Sequence, residues 1–185
     1  MKLFAITPDY FTFEDILKYI PSIQSKGASF LYLRSSLITD CIDKLAAAVY
    51  ESGIQPLIPL KLSRVHKGIP YGIHFKSCET ELLSGFSSLP MILKTASCHD
   101  FDCAVKLLQS SIDYVFVSPV FKPFSKGEAR QELFPRSALK KLVAMFGERV
   151  VLLGGLNRER INALQADLQH EFSAAGITLF FENAS

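Results

Sequence analysis

The residues of this chain best suited to chemistry are cations, hydroxyls and glycines at the ends of apolar runs. In "DYVFVSPVFKPFSKG" (113–127) an apolar run closes on Ser118 and Pro119, then enters a loop carrying Lys122, Ser125, Lys126 and Gly127. In "VVLLGGLNRERI" (150–161) another run ends in Gly154 and Gly155, and a helical pattern starts at Asn157. Free N–H groups and the positive end of a helix then face one place. Other run ends supply Thr7, Asp9, Arg34, Ser35, Ser36, Lys61, His74, Lys76, Glu79, Ser97 and His99. This set is rich in cations and hydroxyls and short of carboxylates. It suits a phosphorylated ligand, because Arg and Lys neutralise charge, hydroxyls donate to oxygens, and glycine lets backbone amides approach.

Each residue also has an ordinary structural reading. A histidine inside an apolar run, as His74 is, more often satisfies a core than catalyses. Arg34 can form an ion pair at the strand ends with Asp9 or Glu79. Lys94 can extend from a strand to the rim, Lys122 and Lys126 can be solvated loop residues, and Cys98 a core thiol.

The elements that must position these groups alternate in kind. "LFAIT" (3–7), "FLYLR" (30–34), "PLIPL" (56–60), "YGIHF" (71–75), "MILKTAS" (91–97), "DYVFVS" (113–118), "VVLLG" (150–154) and "ITLFF" (177–181) read as strands. Most are apolar throughout, as strands of a parallel sheet buried on both faces are. Helical patterns lie between most of them. Thr12 with Asp15 forms a capping box, and Pro21 is expected to kink or split the helix that follows. Thr39 opens the next helix, Asp100 caps "FDCAVKLLQ", Pro135 opens "RSALKKLVAMFG", and Asn157 caps a helix expected to run to Gly176. Eight strand–helix alternations predict a single (β/α)8 TIM barrel over 1–185, against the alternative of a doubly wound sheet. The barrel is compact, with a short connection between strands three and four and no final helix. That absence would bare the apolar side of strands one and eight, so pairing of two copies through it is expected.

Bulk composition excludes several classes. The 20 basic and 18 acidic residues leave a net charge of +2 and no basic tract for nucleic acid or an anionic membrane, so any positive site is local. At 49% hydrophobic and 21% charged, the composition fits a packed domain. No apolar run reaches the roughly 20 residues that cross a bilayer. The start "MKLFAITPDY" lacks the apolar core of a signal peptide, and Cys41, Cys78, Cys98 and Cys103 form no C-x-x-C pair. A cytoplasmic protein with reduced thiols is expected.

The order and spacing of five segments resemble the thiamine phosphate synthase/TenI family. They are "LRSS", "GIHFKSCE", "ASCHDFDCAVKL", "SIDYVFVSPVFKPFSKG" and "VVLLGGL", within a likeness that runs from "LFAIT" to "GITLFF". The resemblance implies a TIM barrel that joins hydroxymethylpyrimidine pyrophosphate to thiazole phosphate and releases pyrophosphate. By the same resemblance, Arg34 contacts the pyrophosphate with Ser97 as its hydroxyl partner, and Ser125 and Lys126 form the clamp after strand six. Gly155, beside Gly154, serves the thiazole phosphate, and Glu79 stands where a magnesium-binding aspartate belongs. Arg34 and Lys126 are the expected catalytic groups, with His74, His99 and Ser118 lining the phosphate site and magnesium as cofactor.

Departures from the family pattern limit that expectation. Tyr32 and Ser36 replace a glutamine and a lysine that flank the arginine. Pro59 and Leu60 replace an Asn-Asp pair, Ser118 and Pro123 replace a glycine and a threonine, and Phe181 stands for a serine. Glu79 is left as the one evident carboxylate for a hard cation, so weak or altered activity is expected. Two alternatives follow: a non-catalytic phosphate-ligand or thiamine-pathway binding protein, and a thiazole tautomerase-like isomerase. The isomerase would need His74 or His99, because Pro119 occupies the place of the family's proton-shuttling histidine.

Overall fold

The computed structural model describes residues 1–63, 71–86, 92–122 and 132–181. Eight strands pair in parallel, each with its sequence neighbour, and β8 returns to β1, closing a barrel. They are β1 (Leu3–Ile6), β2 (Phe30–Tyr32), β3 (Gln55–Pro59), β4 (Gly72–Phe75), β5 (Lys94–Cys98), β6 (Tyr114–Val117), β7 (Val150–Leu152) and β8 (Ser173–Gly176). Outside lie α1 (Phe13–Ser25), α2 (Ile42–Glu51), α3 (Phe101–Gln109), α4 (Arg136–Phe146) and α5 (Arg158–Leu168). A 3-10 helix, Ser77–Phe86, takes the place of a crossover α-helix between β4 and β5. A short 3-10 turn, Leu60–Leu62, follows β3. No helix among the described residues is long and apolar enough to cross a membrane.

The period-two alternation of the strands divides the core in two. Inward residues Phe4, Ile6, Phe30, Tyr32, Leu57, Phe116, Val151 and Ala175 fill the barrel. Outward residues such as Leu31, Leu33, Ile58, Phe75, Val115 and Leu152 pack under the helices. Both sets are buried, which is why the strands read as continuous apolar runs. Inside, the Phe4 ring stacks on Phe30 at 4.2 Å and meets the edges of Tyr114 and Phe116 at 5.2 and 5.1 Å. This aromatic layer makes the barrel floor solid, so ligands must enter from the carboxyl ends of the strands.

Several helix ends follow the expected chemistry. Thr12 and Asp15 form the full capping box. Asp100 accepts from the Cys103 N–H, and Asn157 accepts from the Arg160 N–H. Three expectations need correction. Pro21 does not split α1: the helix runs from Phe13 to Ser25, with Ile16, Ile20 and Ile23 anchoring it on the core on both sides of the proline. Thr39 does not open α2: Ser35 caps a 3-10 turn, Ser36–Cys41, and α2 begins at Ile42.

The third correction concerns the last strand. It is "SAAG" (173–176), since α5 stops at Leu168, and "ITLFF" lies beyond the strand in a turn. Phe181 packs against Phe11 and Tyr19 at 5.2 Å each, and Phe180 and Phe181 are each only 1% exposed. Leu3, Ala5 and Ala174 on β1 and β8 are also buried. Phe180 and Phe181 thus belong to the outer core, against α1 and the segment before it.

Candidate functional site

At the mouth, the end of β1 pins the loop after β2. The buried Thr7 hydroxyl donates to the Tyr32 carbonyl at 3.3 Å and accepts from the N–H groups of Arg34 and Ser35 at 2.8 and 3.3 Å. Ser35 Oγ donates to the carbonyls of Phe11 and Asp9 at 2.6 and 3.0 Å. Thr7 and Ser35 are thus spent on the scaffold. What they hold is Arg34, whose Nε and Nη2 reach the two carboxylate oxygens of Asp9 at 2.8 and 3.0 Å. Of the two partners open to Arg34 in the sequence, Asp9 is the one that pairs. Asp9 is 69% exposed, so water screens the pair and leaves it weak.

His74 lies beside Arg34, deeper in the barrel. Its ring packs against Tyr32 at 4.4 Å and Phe116 at 5.0 Å. Nδ1 is 2.8 Å from Thr95 Oγ1, and Nε2 is 2.8 Å from Ser97 Oγ. Burial first, then the charges of Lys76 and Arg34, lower its pKa to about 3, so the ring is neutral and carries one proton. The Thr95 hydroxyl donates to the Ile73 carbonyl at 3.4 Å, which assigns the ring proton to Nδ1 and makes Nε2 the acceptor for Ser97. His74 is therefore a neutral support that orients Ser97 from below. The structural reading of this histidine holds, and it serves a half-exposed hydroxyl at the mouth. Thr95, its second support, escaped the sequence reading; the alternation Thr95–Ser97 along one strand face was the available signal.

Across the barrel, the end of β6 packs on the end of β7. The N–H groups of Val120 and Phe121 donate to the carbonyls of Leu153 and Gly154 at 2.9 and 3.1 Å. Gly154 and Gly155 have φ of 102° and 59°. A methyl group on Gly155 would stand 2.3 Å from the Lys122 carbonyl oxygen, and one on Gly154 2.9 Å from Pro119 Cα. The two glycines let two loops meet at backbone distance. Arg160, which the sequence reading passed over, donates to the Gly155 carbonyl and lies 4.8 Å from the Phe121 ring. His99 is exposed, and its Nδ1–H donates to the Ser118 carbonyl at 2.8 Å. Ser118 is half-buried beside it. Ser125 and Lys126 lie outside the described residues.

The structure thus brings Arg34, His74 and Ser97 together on the β2–β5 side, with Ser118, His99, Gly154 and Gly155 on the β5–β7 side. Glu79 lies just after β4 and turns one oxygen, Oε2, to the Lys76 N–H at 2.8 Å. Burial pushes the Cys98 thiol up to about 12, leaving it an unreactive core group.

A family model described as thiamine monophosphate synthase matches residues 3–178. The chain belongs to that family. Comparison with curated protein sequences gives no match. Among solved structures, thiamine phosphate pyrophosphorylase from Pyrococcus furiosus superposes with a TM-score of 0.72 at 14% identity, over 99% of this chain and 89% of that one. (S)-3-O-geranylgeranylglyceryl phosphate synthase from Thermoplasma acidophilum, in complex with sn-glycerol-1-phosphate, gives 0.66 at 11% identity, over 100% and 88%. The 3-dehydroquinate dehydratase from Aquifex aeolicus gives 0.57 at 12% identity, over 95% and 89%. At such identities these structures establish a shared barrel. Within the thiamine monophosphate synthase family, small phosphorylated substrates are the expected ligand class.

Proposed function

We propose that the chain acts in thiamine synthesis as a transferase, joining hydroxymethylpyrimidine pyrophosphate to thiazole phosphate. The observation that carries this reading is the family match over residues 3–178, coupled with a mouth whose Arg34 and Ser97 flank one buried, neutral histidine. In the reaction the bond from the pyrimidine methylene carbon to the pyrophosphate oxygen breaks, and the electron pair leaves with the pyrophosphate. The thiazole nitrogen then supplies a pair to the benzylic-type cation. The protein has little covalent work to do; it must offset the growing anionic charge and keep water away. Arg34 supplies the charge and Ser97 a positioned hydroxyl. By the family resemblance Ser125 and Lys126 belong to the same phosphate clamp, and Gly154 and Gly155 serve the second phosphate.

Magnesium fits this donor set poorly. Glu79 turns one oxygen to its own turn, Asp9 is occupied by Arg34, and Pro59 and Leu60 offer no side-chain ligand. Among the described residues no group of three metal-binding side chains lies together. No step is therefore assigned to a metal held by protein carboxylates. The same shortage favours the second reading, a binding protein that holds thiazole phosphate without turnover. The tautomerase reading is the weakest, because Pro119 has no proton to shuttle and His99 gives its Nδ1–H to the Ser118 carbonyl.

The test is release of pyrophosphate from the two substrates by the purified protein. Turnover supports the transferase. Binding of thiazole phosphate without release moves the assignment to the binding protein. If neither ligand raises the melting temperature, both readings fall.

A further inference from the structure

The hydrogen bonds around His74 run in one direction, and that direction fixes what Ser97 offers to the mouth. The series starts at a backbone acceptor: the Thr95 hydroxyl gives its one proton to the Ile73 carbonyl, 3.4 Å away. Toward His74, at 2.8 Å, Thr95 therefore presents a lone pair, and the ring meets it with Nδ1–H. A neutral imidazole carries a single N–H, so Nε2 has a lone pair for Ser97, also at 2.8 Å. The Ser97 hydroxyl proton goes to that nitrogen. What Ser97 keeps for the mouth, where it is half-exposed, is acceptor capacity. Among the described residues no donor reaches its Oγ.

This polarity is the reverse of what a phosphoryl oxygen needs. Such an oxygen accepts, and two acceptors face to face leave both unsatisfied. A ligand N–H is the complement instead. The surroundings of Ser97 add a shape requirement. Phe116 is its register partner across β5 and β6, and Tyr32 and Phe116 both pack on the His74 ring that holds it, at 4.4 and 5.0 Å. An acceptor set among aromatic rings suits a flat heterocycle with an amino group at its edge. A site built on one such polar contact discriminates against an analogue that lacks the donor.

We propose that Thr95, acting through the tautomer of His74, makes Ser97 a hydrogen-bond acceptor toward the ligand and so selects an N–H group on a planar heterocycle over a phosphoryl oxygen. Thr95 is a positioning residue, since its contacts are with His74 and the backbone. The assignment rests on the transferase reading for the ring of the ligand. It gives Ser97 to the pyrimidine, whereas the family resemblance gives it to the pyrophosphate.

The experiment joins NMR of the imidazole nitrogens to ligand titration, on the whole chain as wild type, Thr95→Val, Ser97→Ala and the double variant. In wild type His74 is expected as the Nδ1–H tautomer, a result read without any substitution. Thr95→Val removes the acceptor from Nδ1, so the proton is expected on Nε2, donated to Ser97. The freed Ser97 hydroxyl then turns to the mouth, and Thr95→Val is expected to bind inorganic pyrophosphate about 10-fold more tightly than wild type. The same substitution in the Ser97→Ala background is expected to give no gain. Damaged packing does not produce tighter binding that depends on Ser97. Wild type is also expected to prefer an aminopyrimidine over unsubstituted pyrimidine, and Thr95→Val to lose that preference. An Nε2–H tautomer in wild type, an unchanged pyrophosphate affinity in Thr95→Val, or a gain that persists without Ser97 overturns the proposal and leaves the transferase reading standing. Failure of all four proteins to bind either pyrophosphate or the aminopyrimidine overturns both.

Discussion

The buried imidazole of His74 makes the stability of this barrel depend on pH in a way that one substitution isolates. In the unfolded chain the ring titrates near its ordinary value of 6.5, whereas in the barrel burial and two nearby cations hold it at about 3. Between these values the unfolded state binds one more proton than the folded state. Stability must therefore rise with pH across that window and fall on acidification. Each pKa unit is worth about 1.4 kcal/mol, so moving from pH 8 to pH 4 costs the fold about 3 kcal/mol through this one group. That is a large share of the roughly 5–15 kcal/mol typical of a folded domain. His74→Gln removes the titration and keeps an amide in reach of Thr95 and Ser97. Urea unfolding at the two pH values, on wild type and variant, cancels every other titrating group. Wild type is expected to lose about 3 kcal/mol more than the variant. Equal pH dependence in the two proteins, or an NMR titration placing His74 near 6.5, would refute the reasoning.

Two further outcomes follow from the packing around the mouth. Gly155→Ala forces a methyl into the Lys122 carbonyl at 2.3 Å and a positive φ of 59° onto an L-residue. Such strain alone costs about 1–3 kcal/mol, so Tm should fall by roughly 5 °C or more, and a Tm within about 1 °C of wild type would show that the two loops do not meet this way. Phe181→Ala removes the buried ring packed on Phe11 and Tyr19 and is expected to cost about 3–5 kcal/mol in chemical denaturation. An unchanged midpoint would mean that Phe181 does not pack on Phe11 and Tyr19.

Much of this protein is legible in its one-dimensional pattern. Strands buried on both faces have to be apolar throughout, and helix starts need side-chain oxygens for their free N–H groups. The barrel, most strands, and the caps Thr12, Asp100 and Asn157 could accordingly be read directly. The last strand was misread because the residues with the strongest strand character, "ITLFF", were needed elsewhere. In the closed barrel Phe4 lies opposite Ala175, so a bulky β8 would collide with the aromatic layer, and the small residues of "SAAG" take that position. The large rings were then free to pack outside the barrel, Phe181 against Phe11 and Tyr19.

The candidate site divides along the same line. Sequence alone determined which chemical groups stand at the strand ends, since that depends only on where apolar runs stop. It also determined the shortage of carboxylates. Only the closed barrel decided that Asp9 rather than Glu79 pairs with Arg34 and that Thr95 and Ser97 clasp His74. These choices depend on distances between residues far apart in the chain, and no local preference encodes them. They are fixed once the shear and closure of eight strands set which side chains share the mouth.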